Sequence, residues 1–568
     1  MAQIESAIAG YTPVDELRAG RRCTVQCDGL VTAGVPIGTI AFVRSYARAR
    51  LLEWTRAHME LEHLRDTQSA YLLLRYSLSR RFGFLLRTCG GVLAAPLDQD
   101  GDPPTRAHDD RLFRSLAYVL TDPTLPSEAR DARALHILTS EDLQQAILPT
   151  RVGGLALDCS ALLWAPTHLA GAAACLPYLY THRAFYCLDA AFGSGAGALP
   201  YFCGLSVALT ALHADTPVAQ QQYTDLRMLL ADSPPSLHDL STGVFLGLRT
   251  SLLARCSDDA SRARLLSAGG LHAGSWLTVF PMTPWATVRG RHYQLGLCMR
   301  LGIPLPELMP VPPDLAPMCG GCATRHDPIG SHPSICRVGN RRGLWTARHD
   351  AVQAMLLHVI RRLGYSAQSV SVGAGGWFGA AGFSADGRTR RADLVLTHYY
   401  GPGRHLFLDV AVTSPTTGAA LSASPSSGEQ AGVAAALRAA TKVRKYAPLA
   451  AAVSSSFRPA VVERFGTCCD ELVGLIRTLC GDRDRDALRC EDYTFSAPSR
   501  STYMAGLVTL ATVAADAAMV EHVVLLDAQL GGIGGRLRGC GVGLGALVAP
   551  RQVDVEGVGG RFWYEGRA

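Results

Sequence analysis

Between residues 319 and 336 four soft metal ligands fall within one short stretch. Cys319 and Cys322 flank Gly320-Gly321, His332 follows after nine intervening residues, and Cys336 after three more. This C-x2-C-x9-H-x3-C spacing sets two thiolates on one tight turn and returns an imidazole and a third thiolate towards it, the donor set of a structural zinc site. Gly320, Gly321 and Gly330 supply the backbone freedom such turns need. His326 lies in the same stretch and is an alternative third ligand. Four protein ligands leave no open position for substrate, so the expected Zn2+ is structural.

Most of the other cysteines of the 17, such as Cys159, Cys175, Cys203 and Cys298, lie singly in apolar runs. That usage suits reduced thiols. Met1–Gly10 has no apolar core of signal length, so the expectation is a nuclear or cytoplasmic protein, not a secreted one. The most apolar stretches, Leu155–Leu179 and Met504–Leu526, are interrupted by Asp158, His168, Asp516, Glu521 and His522. A membrane span needs about 20 nearly uncharged residues, so both are read as buried helices, with no membrane partner. With 48% hydrophobic and 18% charged residues over 568, the composition excludes a disordered chain. A net charge of +6 permits a nucleic-acid partner without requiring one.

Periodicity gives an α+β chain that is mostly helical. Residues 1–100 read as a helical region with arginines interleaved among the apolar positions, a candidate strand- or RNA-contacting face or a solvated one, and 88–110 as a Pro/Gly/Asp-rich break. Residues 101–303 read as a further helical domain. Residues 304–344 combine a linker, with six prolines in 304–318, and the Cys/His cluster. Residues 345–470 read as an α/β core, 471–530 as carboxy-terminal helices, and 531–568 as a Gly-rich tail expected to be disordered. Within 345–470 the order is a helix (346–363), a Gly-rich loop (373–382), strands at 391–399 and 405–413, a Ser/Gly loop (414–428) and a helix (429–446).

The two strands carry the chemistry. Asp393 stands near the start of the first and Asp409 within the second, with Gly401-Pro402-Gly403 between them. If that turn is a three-residue loop, 400 pairs with 404, so 393 faces 411 and 409 faces 395. The two carboxylates then lie diagonally adjacent on one face, where they can hold Mg2+ to activate water and stabilise a phosphodiester transition state. The next helix ends Lys442-Val-Arg-Lys445-Tyr446. Lys442 and Lys445 are the only lysines among 54 basic residues. A GC-rich gene accounts for the arginine bias but not for where the two lysines remain, and arginine does not freely replace a lysine whose pKa is tuned. Arg348-His349 opens the 346–363 helix, where it can meet a phosphate.

Taken in order, Cys319–Cys336, Arg348-His349, Asp393, Asp409-Val410-Ala411-Val412 and Lys442/Lys445 resemble the endonuclease region of non-LTR retrotransposon polyproteins that carry a restriction-like nuclease. Phe457-Arg458-Pro459 through Phe465-Gly466 resembles a segment seen after the lysine helix. Upstream, Gly34-Val35-Pro36-Ile37-Gly38-Thr39, Asp66-Thr67-Gln68, Leu72–Arg75, Leu148–Leu155 and Leu301-Gly302-Ile303-Pro304 resemble the helical region after the reverse-transcriptase palm. The resemblance covers roughly 30–470 and departs from the family at Ala392, where a proline is usual, and at Ala411, where restriction-type nucleases usually place a lysine. It implies a restriction-endonuclease-like core and a Mg2+-dependent DNA endonuclease that nicks a target site. Asp393, Asp409, Lys442 and Lys445 would be catalytic, and Arg348, His349 and Arg391 would contact nucleic acid (DNA, with RNA a second candidate). No polymerase Tyr-x-Asp-Asp strand is present, and His108-Asp109-Asp110, in a polar Pro-rich stretch, is a poor substitute. The competing expectation is a non-catalytic nucleic-acid-binding remnant.

Overall fold

Apolar positions at helical spacing make helices of most of the chain, and among the described residues strands are confined to a hairpin and one four-stranded sheet. The computed structural model describes residues 28–94, 102–181, 200–215, 223–231, 233–305, 318–320, 322–336, 342–370, 391–423, 430–481 and 497–533. Gly321, most of the Pro-rich linker, the Gly-rich loop at 373–382 and residues 534–568 lie outside them.

Two units are each assembled from separated stretches. One contains the described parts of Met1–Arg56, Arg81–Asp110 and Ser160–Ser241. In it β1 (Gly29–Thr32) and β2 (Val35–Gly38) form an antiparallel hairpin. Its turn residues, Ala33 and Gly34, both take the left-handed backbone that a two-residue turn between twisted strands demands. Helix α1 (Gly83–Ala94) supplies Leu85, Leu86 and Leu93 to a core with Val43, Ala47 and Phe82. Both described ends of the expected break at 88–110 are helical: α1 runs through its start, and α2 (Pro104–Val119) contains His108-Asp109-Asp110, while 95–101 lie outside the described residues. Asp109 is buried and caps α3 (Ser160–Thr181), accepting the Ser160 and Ala161 amides at 2.7 Å each. Its carboxylate satisfies orphan helix donors, a structural task.

The second unit contains Ala57–Arg80, Arg111–Cys159 and the described residues from Thr242 onward. Its sheet has the order β3 (Ala367–Ser369), β4 (Leu394–Leu396), β5 (Leu406–Thr413), β6 (Ser456–Glu463). The first three are antiparallel, and β5 and β6 are parallel, joined across α5 (Val433–Ala452). Alternation sorts the two faces. Leu394, Leu396, Leu406 and Leu408 join a core with Val352, Leu356, Val359 and Ile360 of α4 (Arg342–Arg362). Val395 and Phe407 pack with Tyr446 and Ala450 of α5. A last helix, α6 (Arg500–Ile533), packs along α4. Its segment Arg500–Val524 is long and apolar enough to cross a membrane, yet 83% of its most apolar window is buried inside the fold, as read from its interrupting charges.

The register of β4 and β5 differs from the expected one. Leu394 pairs with Leu408 and Leu396 with Leu406, two residues off the expected register, and the Asp393 amide just before β4 donates to the Leu408 carbonyl at 2.9 Å. Tyr400 does meet Arg404, its amide donating to the Arg404 carbonyl at 3.3 Å. Between that contact and the ladder, however, the first arm holds three residues and the second only His405. The two extra residues are absorbed where His398 turns left-handed, at φ 56°. An even shift leaves the paired residues 394–396 and 406–408 on their expected faces.

Candidate metal centre and carboxylate–lysine cluster

The four expected zinc ligands converge. Their donor atoms all lie within 4.8 Å of one another. Cys319 and Cys336 Sγ are 3.6 Å apart, Cys336 and Cys322 Sγ 3.8 Å, and Cys322 Sγ is 3.2 Å from His332 Nε2. A tetrahedron built on Zn–S bonds of about 2.3 Å and a Zn–N bond near 2.0–2.1 Å has edges of about 3.6–3.8 Å. The cluster therefore fits one zinc ion. The turn closes with the Cys319 amide donating to the Thr324 carbonyl (2.8 Å) and the Ala323 amide to the Cys319 carbonyl (2.9 Å). The Asp327 carboxylate accepts the amides of Ser331, at 2.8 Å, and His332, capping the short turn that aims the imidazole. His332 takes the third place, and His326 packs beside it with ring centres 5.4 Å apart. The hydrogen bond with Thr324 holds the Cys322 thiol down to about 6, favouring the thiolate that zinc requires.

The knuckle is built into the core. Arg348 of α4 and Arg464 after β6 both pair with Asp516 of α6, and all three are buried. Ser334, between ligands His332 and Cys336, donates to Asp516 at 2.7 Å and accepts from Arg348 at 3.1 Å. Trp345 Nε1 donates to the Cys336 carbonyl at 3.2 Å. Arg348 is therefore not on a phosphate-facing surface as expected: its guanidinium is sequestered by an aspartate that helical periodicity alone could not pair with it.

The carboxylates and one lysine meet around one residue, Val410. Its amide donates to Asp393 Oδ2 at 2.6 Å, and its carbonyl accepts from Lys442 Nζ at 3.2 Å. The same ammonium forms an ion pair with Asp409. Asp409 is almost fully buried, whereas the Asp393 side chain keeps 22% of its exposure. Burial pushes the Lys442 ammonium down to about 8, against the pull of Asp393 and with the repulsion of Lys445. His349 lies 3.1 Å from Asp393 by Nε2 and 3.1 Å from Asp350 by Nδ1. Burial opposes its charge, but the hydrogen bonds and charges of Asp393 and Asp350 outweigh it and raise its pKa.

The remaining expected site residues lie elsewhere. Lys445 is exposed and donates to Tyr446 Oη at 2.9 Å. Arg391 is exposed at the edge of the described segment. Among the described residues the knuckle is the one group of three or more His, Cys, Asp or Glu donors close enough to share an ion. Sequence reasoning missed Glu463, which is buried at the end of β6 and accepts the Ala435 amide at 3.0 Å at the start of the lysine helix. It also missed Asp516. Neither has a local sequence signal beyond a carboxylate within an apolar run.

No known protein family matches the chain, and no curated protein matches its sequence.

Proposed function

We propose that this chain is a Mg2+-dependent DNA endonuclease of the restriction-like type found in non-LTR retrotransposons, with a structural zinc knuckle beside its nuclease core. The observation that carries the reading is the meeting of Asp393, Asp409 and Lys442 around residue Val410. Lys442 is one of two lysines in an arginine-dominated chain.

Two carboxylates are donors of the type that magnesium takes. Mg2+ takes hard oxygens and is commonly held by one or two carboxylates, its remaining positions filled by water and phosphate oxygens. Asp393 and Asp409 would hold it, and a bound ion supplies Lewis acidity and a more acidic water. The chain's own groups act around that. Lys442 keeps a compact cation at the carboxylates, where it can meet the charge growing on a phosphate. His349 lies within hydrogen-bonding distance of Asp393, and the Val410 amide holds that carboxylate's orientation. Of the two lysines expected to be catalytic, this reading assigns the role to Lys442.

One observation favours the second reading, a non-catalytic nucleic-acid-binding protein: the Asp409 carboxylate is already neutralised by Lys442. Nicking of supercoiled plasmid with and without Mg2+ separates the two. The nuclease reading expects Mg2+-dependent nicking that Asp393→Ala and Asp409→Ala each abolish while DNA binding survives, because removing a carboxylate removes repulsion from DNA. Nicking at the parental rate by either variant removes that residue from the metal site. No nicking by the parent chain leaves the binding reading.

A further inference from the structure

We infer that the turn joining β4 to β5 is a stacking platform for unpaired nucleic-acid bases, an inference that rests on the nucleic-acid reading above. The turn runs His398-Tyr399-Tyr400-Gly401-Pro402-Gly403-Arg404-His405. Tyr400 is 40% exposed and meets Tyr399 edge-on, with ring centres 4.6 Å apart. Tyr399 in turn packs against Tyr365 at 5.8 Å. The Arg404 guanidinium stands 5.9 Å from the Tyr400 ring centre. A rigid aromatic surface flanked by a cation is the chemistry that holds unpaired bases, since every base has a π-face and every nucleotide a phosphate.

The turn is held firmly for an exposed one. His398 keeps a left-handed backbone, accepts the Gly403 amide on Nδ1 at 3.0 Å, and donates its own amide to His405 Nδ1 at 3.2 Å. Gly401 and Gly403 are also left-handed, and a side chain added at either would meet open space. The tip therefore projects with a fixed shape.

Charge points to an anionic partner. Between Asp393 and Asp409 there is no acidic residue, while Arg404, His398 and His405 all lie in the turn. Arg458 acts electrostatically on Tyr399. Position completes the case. Asp409 and His405 share one edge of the hairpin, four residues apart, or about 13 Å at roughly 3.4 Å per residue. That is about four nucleotides at the 3.4 Å spacing of a stacked strand. A strand whose phosphate sits at Asp409 can thus reach the tyrosines with bases a few positions away.

The test measures equilibrium binding of the full chain to fluorescein-labelled oligo(dT), oligo(U) and a blunt duplex, without Mg2+. Tyr400→Ala should weaken oligo(dT) binding by roughly five- to 150-fold, the range for loss of one stacked base, and leave the duplex nearly unchanged. Tyr400→Phe should restore binding, because the ring and not the hydroxyl is needed. Arg404→Ala should flatten the salt dependence by about 0.7 in log–log slope, one phosphate of a single strand. Equal loss for oligo(U) identifies a platform indifferent to the sugar. Tyr400→Ala that binds oligo(dT) as tightly as the parent, or a parent that binds only duplex, overturns the inference whatever the plasmid assay returns. A chain that binds oligo(dT) through Tyr400 but never nicks sinks the nuclease reading and leaves the platform standing.

Discussion

Replacing Asp516 should test how the zinc knuckle is held. Asp516 is buried in α6 and serves two buried guanidiniums, Arg348 and Arg464, and the Ser334 hydroxyl. Asp516→Leu strips both arginines of their counter-charge. Breaking a buried ion pair by removing one partner costs about 3–5 kcal/mol, mostly because the other charge is left uncompensated. Two arginines share this partner, but each keeps other acceptors. Arg348 retains the Ser334 hydroxyl at 3.1 Å and the Trp345 ring at 4.8 Å, and Arg464 retains the Gly330 carbonyl at 3.4 Å. Leucine should therefore fall near the upper end of that range, and asparagine, which preserves an acceptor oxygen, near the lower. With a urea slope of about 3 kcal/mol/M, the midpoint should drop by roughly 1–2 M. Followed by circular dichroism together with a chromogenic zinc chelator, the variants should also release zinc at lower urea, because Ser334 lies between two ligands.

The pH dependence has a definite sign. Burial alone would raise the Asp516 pKa, but Arg464 and Arg348 outweigh it and hold it below the ordinary value of 3.8. The stabilisation is thus fully present above the unfolded-state pKa and lost as pH falls through the depressed one. Below pH ~4 the parent should lose this increment, and Asp516→Leu should not. Replacing Arg348, Asp516 and Arg464 together with apolar residues of similar size should recover most of the stability. A single Asp516→Leu that shifts the midpoint by less than the equivalent of about 1 kcal/mol would refute the reasoning.

Metal analysis of the full chain should find about one zinc, as a four-ligand site implies. His332→Ala should lose the ion and His326→Ala keep it; the reverse would exchange their roles. In the plasmid assay Lys442→Arg should slow nicking by about 10²–10³-fold, the cost of losing one transition-state donor, and Lys445→Arg should nick normally. Equal, parental rates for both would remove any need for lysine. Glu463→Ala should destabilise the fold by about 1–3 kcal/mol in urea unfolding, because buried donors at the start of the lysine helix lose their acceptor. An unchanged midpoint would show that water replaces it.

Features dictated at short range were legible in the sequence. Cys319, Cys322, His332 and Cys336 were legible because all four stand within one short stretch at the spacing of a zinc site. The mostly helical α+β character and the two strands followed from periodicity. The faces of the paired residues of β4 and β5 survived a wrong register because faces repeat every two residues and the shift was even. Only the tertiary structure decided the rest. The register turned on the backbone of one residue, His398, whose left-handed conformation absorbs two positions. Arg348 looked like a surface cation until an aspartate 168 residues away paired with it. Asp109, in a stretch read as a polar break, proved to cap a helix that starts 51 residues later. Lys442 could be named, but its contact with Asp409 depended on how α5 crosses the sheet. A buried charge costs too much to leave alone, so each of these groups has a partner. Which partner it has is settled by the packing of distant elements, and a local sequence pattern carries no trace of that.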